Sequence, residues 1–165
     1  GTTQKPFQRL SENPLKDHTM SDHSYSCCWL HMTWAVKNRE RQLTTEIRRQ
    51  LHAHIHQYAK GKNIFLKTCF VNPDHVHVLI DLPQLAIEQV AKLFKGESSH
   101  WINSERLTPD SFQWQRGYGA FSICPSKLEV ACQYIAGQEA HHRQQTFQEE
   151  IKALVLRYGL KWLDD

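Results

Sequence analysis

The chain has 165 residues, enough for one domain with its own core, and 40% hydrophobic and 22% charged residues are ordinary for a globular protein. No apolar run approaches the length of a membrane span, so no membrane partner is expected. Five cysteines without a CxxC pair argue against a disulfide scaffold and for a reduced, cytoplasmic setting. Net charge is only +3, but residues 37–67 hold eight Lys or Arg against Glu40 and Glu46. Such a local basic face can engage phosphates, or simply be a solvated helix surface.

In chain order, residues 1–24 read as a polar leader without an apolar signal core, and residues 25–165 as a single domain. YSCCWLHMTWAV (25–36) is rich in aromatic and β-prone residues and predicts a strand. Thr44 caps an expected helix over about 46–60, where Ile47, Leu51, Ile55 and Tyr58 recur at helical spacing and Gly61 ends the run. NIFLKTCFV and HVHVLIDL then predict a hairpin about the turn Asn72-Pro73-Asp74, and Pro83 breaks the second strand. A helix is expected over about 85–103, ERLTPDS is a loop, and FQWQRGYGAFSI predicts a strand interrupted at Gly117 and Gly119. Ser126 opens a further helix to about 141, with Glu129 in the capping-box position and Leu128, Val130, Cys132 and Ile135 available to pack inward. A last helix is expected over about 146–158, with Gly159 after it. The order β-α-β-β-α-β-α predicts an α+β fold: a ferredoxin-like split β-α-β antiparallel sheet with additional C-terminal helices.

Eleven histidines include three His-x-His triplets. Two of them, spanning His52, His54 and His56, fall in a helical pattern, where residues two apart diverge and only His52 and His56 share a face. His75 and His77 lie on a strand, so their side chains share one face while Val76, Val78 and Ile80 take the other. They are either paired ligands or surface histidines on a half-exposed strand, because two ligands do not make a site. The helix after Ser126 supplies candidates: Tyr134 and Gln138 lie one turn apart, and His141 continues that face. A tyrosine beside a cation can attack phosphorus, and a glutamine can donate a neutral oxygen ligand. The alternative is a tyrosine packed at a helix–sheet boundary with a solvent-facing glutamine. Asp74 reads first as a turn residue and otherwise as an additional ligand.

The segments NPDHVHVLI, LFKGESSHWIN, FQWQRGYGAFSI and YIAGQEAHHRQQTFQEE occur in this order. Together, over about residues 25–150, they resemble the single-tyrosine HUH transposases, small transposases of bacterial and archaeal insertion sequences. The resemblance implies His75 and His77 as paired metal ligands, Gln138 completing the site, and Tyr134 as the nucleophile. It implies Mg2+ or Mn2+, single-stranded DNA hairpins as substrate, a covalent 5′-phosphotyrosine, and a homodimer in which the tyrosine helix of one subunit can serve the histidines of the other. Domesticated relatives with the same scaffold process chromosomal palindromic repeats. Beside this, Arg48, Arg49, Lys62, Lys95 and Arg116 are candidate DNA contacts, and Trp101, Trp114, Tyr118 and Phe121 could include a base-stacking surface. Ser98 and Ser99 could help hold DNA, and His141 and His142 could support the site. A ferredoxin-like nucleic-acid-binding module without chemistry is the competing reading, although an RNP1-type aromatic signature is missing from the predicted strands. A zinc hydrolase is a third, without HExxH.

Overall fold

Alternation along two central strands decides the architecture. β1 (Trp29–Ala35) and β3 (His75–Asp81) pair antiparallel, with Met32 opposite Val78 and Thr33 opposite His77. β2 (Phe65–Val71) flanks β3, and β4 (Gly119–Ser122) flanks β1, giving one antiparallel sheet of order β2-β3-β1-β4. α1 (Thr45–Gly61) joins β1 to β2, and α2 (Ile87–Ser104) joins β3 to β4, which is the expected split β-α-β arrangement. Among the described residues, α3 (Leu128–Ala136) and α4 (Phe147–Arg157) follow. The computed structural model describes residues 25–138 and 145–163, so the polar leader and residues 139–144, with His141 and His142, lie outside the described residues.

One face of the sheet is a dry core. Leu30, Met32, Trp34 and Val36 from β1 and its end, with Val76, Val78 and Ile80 from β3, meet Ile47, Leu51, Ile55 and Ala59 of α1 and Val90, Ala91, Phe94 and Ile102 of α2. Fully burying side chains of this size contributes roughly 1.5–3 kcal/mol each. The opposite face of the same strands carries Trp29, His31, Thr33, His75, His77, Leu79 and Asp81, all buried. α3 covers part of that face through Ile135, packed with Trp29 and Leu79.

Several boundaries differ from expectation for local reasons. The first strand begins at Trp29 rather than Tyr25. α1 is capped as expected, Thr44 Oγ1 accepting from the Ile47 amide at 3.3 Å, but Gly61 is its last residue and the chain turns at Asn63, in the left-handed region at φ 54°. Of the stretch 112–123 only Gly119–Ser122 is strand, apart from one bridge between Trp114 and Val36. The preceding loop is pinned to α2: Asn103 brackets Phe112 through both its amide groups, and Lys95 Nζ donates to the carbonyls of Gln115 and Gly117 at 2.9 and 2.5 Å. A side chain at Gly119 would meet Phe121 at 2.9 Å and Thr33 at 3.0 Å, so this glycine lets β4 close onto β1. α3 starts at Leu128 after a 3-10 turn over Pro125–Lys127, without a side-chain cap; Ser126 instead bonds Cys124, and Glu129 accepts from Gln133. Val130 points to solvent, whereas Leu128, Cys132 and Ile135 pack inward as expected.

Candidate active site

β3 is a central strand, and that placement buries its histidines. His75 and His77 are each 0% exposed, which overturns the alternative of surface histidines on a half-exposed strand. The turn before the strand orients the first ring. Asp74 Oδ1 accepts from His75 Nδ1 at 2.7 Å, and Asn72 Nδ2 lies 2.9 Å from His75 Nε2. Asp74 is thus a turn residue that also fixes the hydrogen of His75 on Nδ1 and leaves Nε2 as the lone-pair nitrogen. Phe147 of α4 stacks on the same ring at 4.1 Å.

α3 and α4 bring the remaining groups to the pair. Gln138, just past the end of α3, is fully buried, which overturns the solvent-facing alternative; Tyr134, one turn earlier, is half-buried. Both meet Glu150 of α4. Glu150 Oε1 accepts from Gln138 Nε2 at 2.9 Å and from the Tyr134 hydroxyl. The other oxygen, Oε2, faces the histidines, 3.6 Å from His77 Nε2 and 3.9 Å from His75 Nε2. One carboxylate therefore stands between the imidazole pair and the phenol, all within one chain.

The electrostatics follow from burial and these partners. Burial works against the charge on Glu150, yet the His77 ring and the donors Tyr134 and Gln138 hold its carboxyl well below the ordinary carboxylate range. Burial, reinforced by the Glu150 carboxylate that accepts its hydrogen, pushes the Tyr134 phenol above its ordinary value. His31 of β1 has its Nε2 2.8 Å from His77 Nδ1, and burial followed by proximity to His77 pushes its pKa down to about 3.

His75, His77 and Glu150 form a buried group whose ligand atoms lie within 4.8 Å of one another and which could hold a metal ion. The chemistry of the donors fits that use. Two imidazoles and a carboxylate suit a divalent first-row cation. Among the described residues, His77 Nε2 and Gln138 Oε1 are buried without a hydrogen-bond partner, which suits atoms that could ligate a cation. At His75, a cation would compete with Asn72 for the Nε2 lone pair.

Glu150 was missed from sequence. A signal was present: Thr146 and Glu149 form a capping box that sets the start of α4. Counting from there puts Glu150 on the inward stripe with Phe147, Ile151 and Leu154, an unusual place for a carboxylate. His31 was likewise passed over as part of an apolar strand.

The candidate DNA contacts do not join this cluster. Arg48 and Arg49 lie on α1, which covers the other face of the sheet; Arg48 donates to Thr45 and Arg49 pairs with Glu46 at 2.7 Å. Lys62 follows α1 and lies 5.7 Å over the Tyr58 ring, and Lys95 is engaged by loop carbonyls. Arg116 is exposed in that loop. Of the aromatics, Phe121 is buried, Trp114 packs on Trp34 and Phe112 while donating to Ser98, and Trp101 stacks on His54 at 4.2 Å; Tyr118 is exposed. Ser98 is a buried linker between Trp114 and the Phe94 carbonyl rather than a surface hydroxyl. The His52 and His56 rings pack against each other, tilted, with centroids 4.5 Å apart, without a carboxylate or cysteine to make a third ligand among the described residues.

Comparison with known proteins points the same way. Over 70 residues the chain is 36% identical to the ISDra2 transposase TnpA of Deinococcus radiodurans, a match covering 42% of this chain and 50% of that protein. The chain thus spans about half the length of the curated relative it matches. Two solved structures share the fold. One, a chain of D. radiodurans R1 solved as a candidate transposase, has a TM-score of 0.57 at 24% identity over 72% of this chain and 96% of that one. The other, a REP-associated tyrosine transposase bound to a REP hairpin, has a TM-score of 0.56 at 19% identity over 88% and 93%. The family model described as IS200-like transposase matches residues 24–138, from just before β1 to Gln138. That stretch is well over half of the chain, which belongs to the IS200-like transposase family.

Proposed function

We propose that this protein is a metal-dependent transposase that cleaves and rejoins single-stranded DNA at hairpins through a 5′-phosphotyrosine on Tyr134. The observation that carries the reading is Glu150, one oxygen toward the His75/His77 pair and the other bonded to the Tyr134 hydroxyl. His75, His77 and Glu150, with Gln138 as a further oxygen donor, hold a divalent cation, Mg2+ or Mn2+. When bound, the cation neutralises charge on the scissile phosphate and stabilises the developing transition state. The Tyr134 oxygen forms a bond to phosphorus, its proton passes to Glu150 Oε1, and the bond from phosphorus to the 3′ oxygen breaks. The released 3′ oxygen takes a proton from water and leaves as a hydroxyl, and Glu150 returns its proton to solvent. Attack by another 3′-hydroxyl on the tyrosine ester reverses the exchange, so the phosphodiester energy is conserved and no nucleotide cofactor is required.

Hairpin DNA as the substrate is supported by the structural neighbour bound to a REP hairpin. With one tyrosine per site, joining two ends calls for two sites, which a homodimer supplies. The contacts of Tyr134 and Glu150 within one chain favour a site completed in cis.

The test uses the full chain with single-stranded hairpins carrying unpaired arms, tiled from the DNA flanking the reading frame, plus Mn2+. A protein–DNA adduct on a denaturing gel is expected from the wild type. Tyr134→Phe is expected to form none while still retarding the hairpin in a native gel. An adduct from the phenylalanine variant contradicts the assignment, and binding without any wild-type adduct favours the non-catalytic module.

A further inference from the structure

His31 lies diagonally across the β1–β3 ladder from His77: His31 is opposite Leu79 and Thr33 is opposite His77. The two rings are stacked with centroids 5.0 Å apart and planes 28° apart, and the His31 Nε2 to His77 Nδ1 distance of 2.8 Å is that of a hydrogen bond. Both rings are buried, so one hydrogen sits between these nitrogens. Its side of the bond matters. A neutral imidazole offers Nε2 as a lone pair only when its hydrogen is on Nδ1. In that form His77 donates and His31 accepts. The opposite tautomer of His77 puts a hydrogen on Nε2, toward the Glu150 oxygen at 3.6 Å, and leaves no lone pair there for a cation.

We propose that His31 is a positioning residue: by accepting the Nδ1 hydrogen of His77, it holds that ring in the tautomer and orientation that present the Nε2 lone pair toward Glu150 and the cation bound there. The inference rests on the metal reading proposed above and deepens it. His75 already has the equivalent device, with Asp74 Oδ1 on its Nδ1. The two supports differ in kind. Asp74 is a partly exposed carboxylate, whereas His31 is a buried neutral ring, so the second support adds no further negative charge beside Glu150. His31 is in turn held in place, with the Tyr134 ring edge-on at 6.1 Å and Phe121 tilted at 6.3 Å. It thereby touches both the metal pair and the tyrosine.

Two readouts test this, and neither needs DNA cleavage. The first is the tautomer of His77 in the metal-free chain, from long-range 15N–1H correlations of the histidine rings. The Nδ1–H form is expected in the wild type, and a mixture in His31→Phe, which keeps a ring but removes the acceptor. The second is Mn2+ affinity by calorimetry: a loss of roughly tenfold to a hundredfold is expected in His31→Phe, and recovery to within about threefold in His31→Gln, whose carbonyl oxygen can stand where Nε2 stood. An Nε2–H form of His77 in the wild type overturns the proposal, as does wild-type Mn2+ affinity in a folded His31→Phe. If His31→Phe does not fold, the wild-type tautomer and the glutamine variant still decide. If the wild type binds no Mn2+, the metal reading fails, and the tautomer readout alone judges the role of His31.

Discussion

The two faces of the same sheet obey opposite rules. β3 presents Val76, Val78 and Ile80 to α1 and α2, and presents His75, His77, Leu79 and Asp81 to the other side. On the first face, burial is satisfied by apolar contact and little else is demanded. On the second, Trp29 and Leu79 pack with Ile135, while the buried histidines and carboxylate are placed by named partners: Asp74 and Asn72 at His75, His31 at His77, and Tyr134 and Gln138 at Glu150. A period of two residues along one strand is enough to put a stabilising core and a buried polar cluster back to back. The helices that cover each face differ accordingly. α1 and α2 are long and lock the sheet, while α3 and α4 are shorter and bring Tyr134 and Glu150 to the histidines.

Substitutions on the two faces are therefore expected to separate stability from chemistry. The largest effect on chemistry is expected from His77→Ala, with His75→Ala close behind. Each removes a donor from the cation, so adduct formation with a hairpin and Mn2+ falls by at least about a hundredfold, beyond what loss of a supporting residue costs. Thermal melts that stay cooperative exclude unfolding as the cause. Glu150→Gln comes next, since it keeps the shape but removes the charge facing the pair. Mn2+ affinity by calorimetry is expected to fall about tenfold or more, with retention of the fold by circular dichroism. Undiminished Mn2+ affinity in that variant removes Glu150 from the ligand set.

Leu51→Ala, on the dry face, is expected to act in the opposite way. Leu51 is fully buried, and truncation costs roughly 2–5 kcal/mol of unfolding free energy in urea titrations. Adduct formed per folded molecule is expected to stay at the wild-type level. A change in rate without a change in stability breaks the division between the faces.

The smallest expected effect concerns pH. His31 is held neutral down to about 3, against an ordinary value of 6.5. The unfolded chain takes up this proton and the folded chain does not, so the stability contribution is fully present above about pH 6.5 and is lost as pH falls toward 3. Between pH 6.5 and 5, metal-free wild type is expected to lose up to about 2 kcal/mol more than His31→Gln, and this window lies above the range where Glu150 titrates. Equal slopes in the two chains remove His31 from the account of acid sensitivity.

How far the sequence reveals this division depends on the range of the contacts involved. The alternation HVHVLI placed both imidazoles on one face, and the helix-turn spacing of Tyr134 and Gln138 placed phenol and amide together. Both are local patterns with a fixed geometric meaning. That β3 is a central strand, and so buries its histidines, depends on pairing with β1 some 46 residues earlier, as His31 and His77 illustrate. Glu150 is hidden for a similar reason. Its own helix marks it as an inward-facing carboxylate, but only the packing of α4 across the sheet, with Phe147 on His75 and the Tyr158 hydroxyl on the Ser122 carbonyl at 2.7 Å, sets it between histidines and tyrosine. The misplaced inward role of Val130 has a simpler cause: residues two apart on a helix diverge, so Val130 cannot share the inward face of Leu128, Cys132 and Ile135.

The central claim is that the polar face carries phosphoryl chemistry on one phenol. Its most direct test is to trap the adduct formed by the full chain on a single-stranded hairpin with Mn2+, digest it, and sequence the DNA-linked peptide by mass spectrometry. A 5′-phosphate ester on Tyr134 is expected, with no adduct once a chelator removes the metal. A link at any other side chain, or an equal yield on Tyr134 in chelator, contradicts the claim.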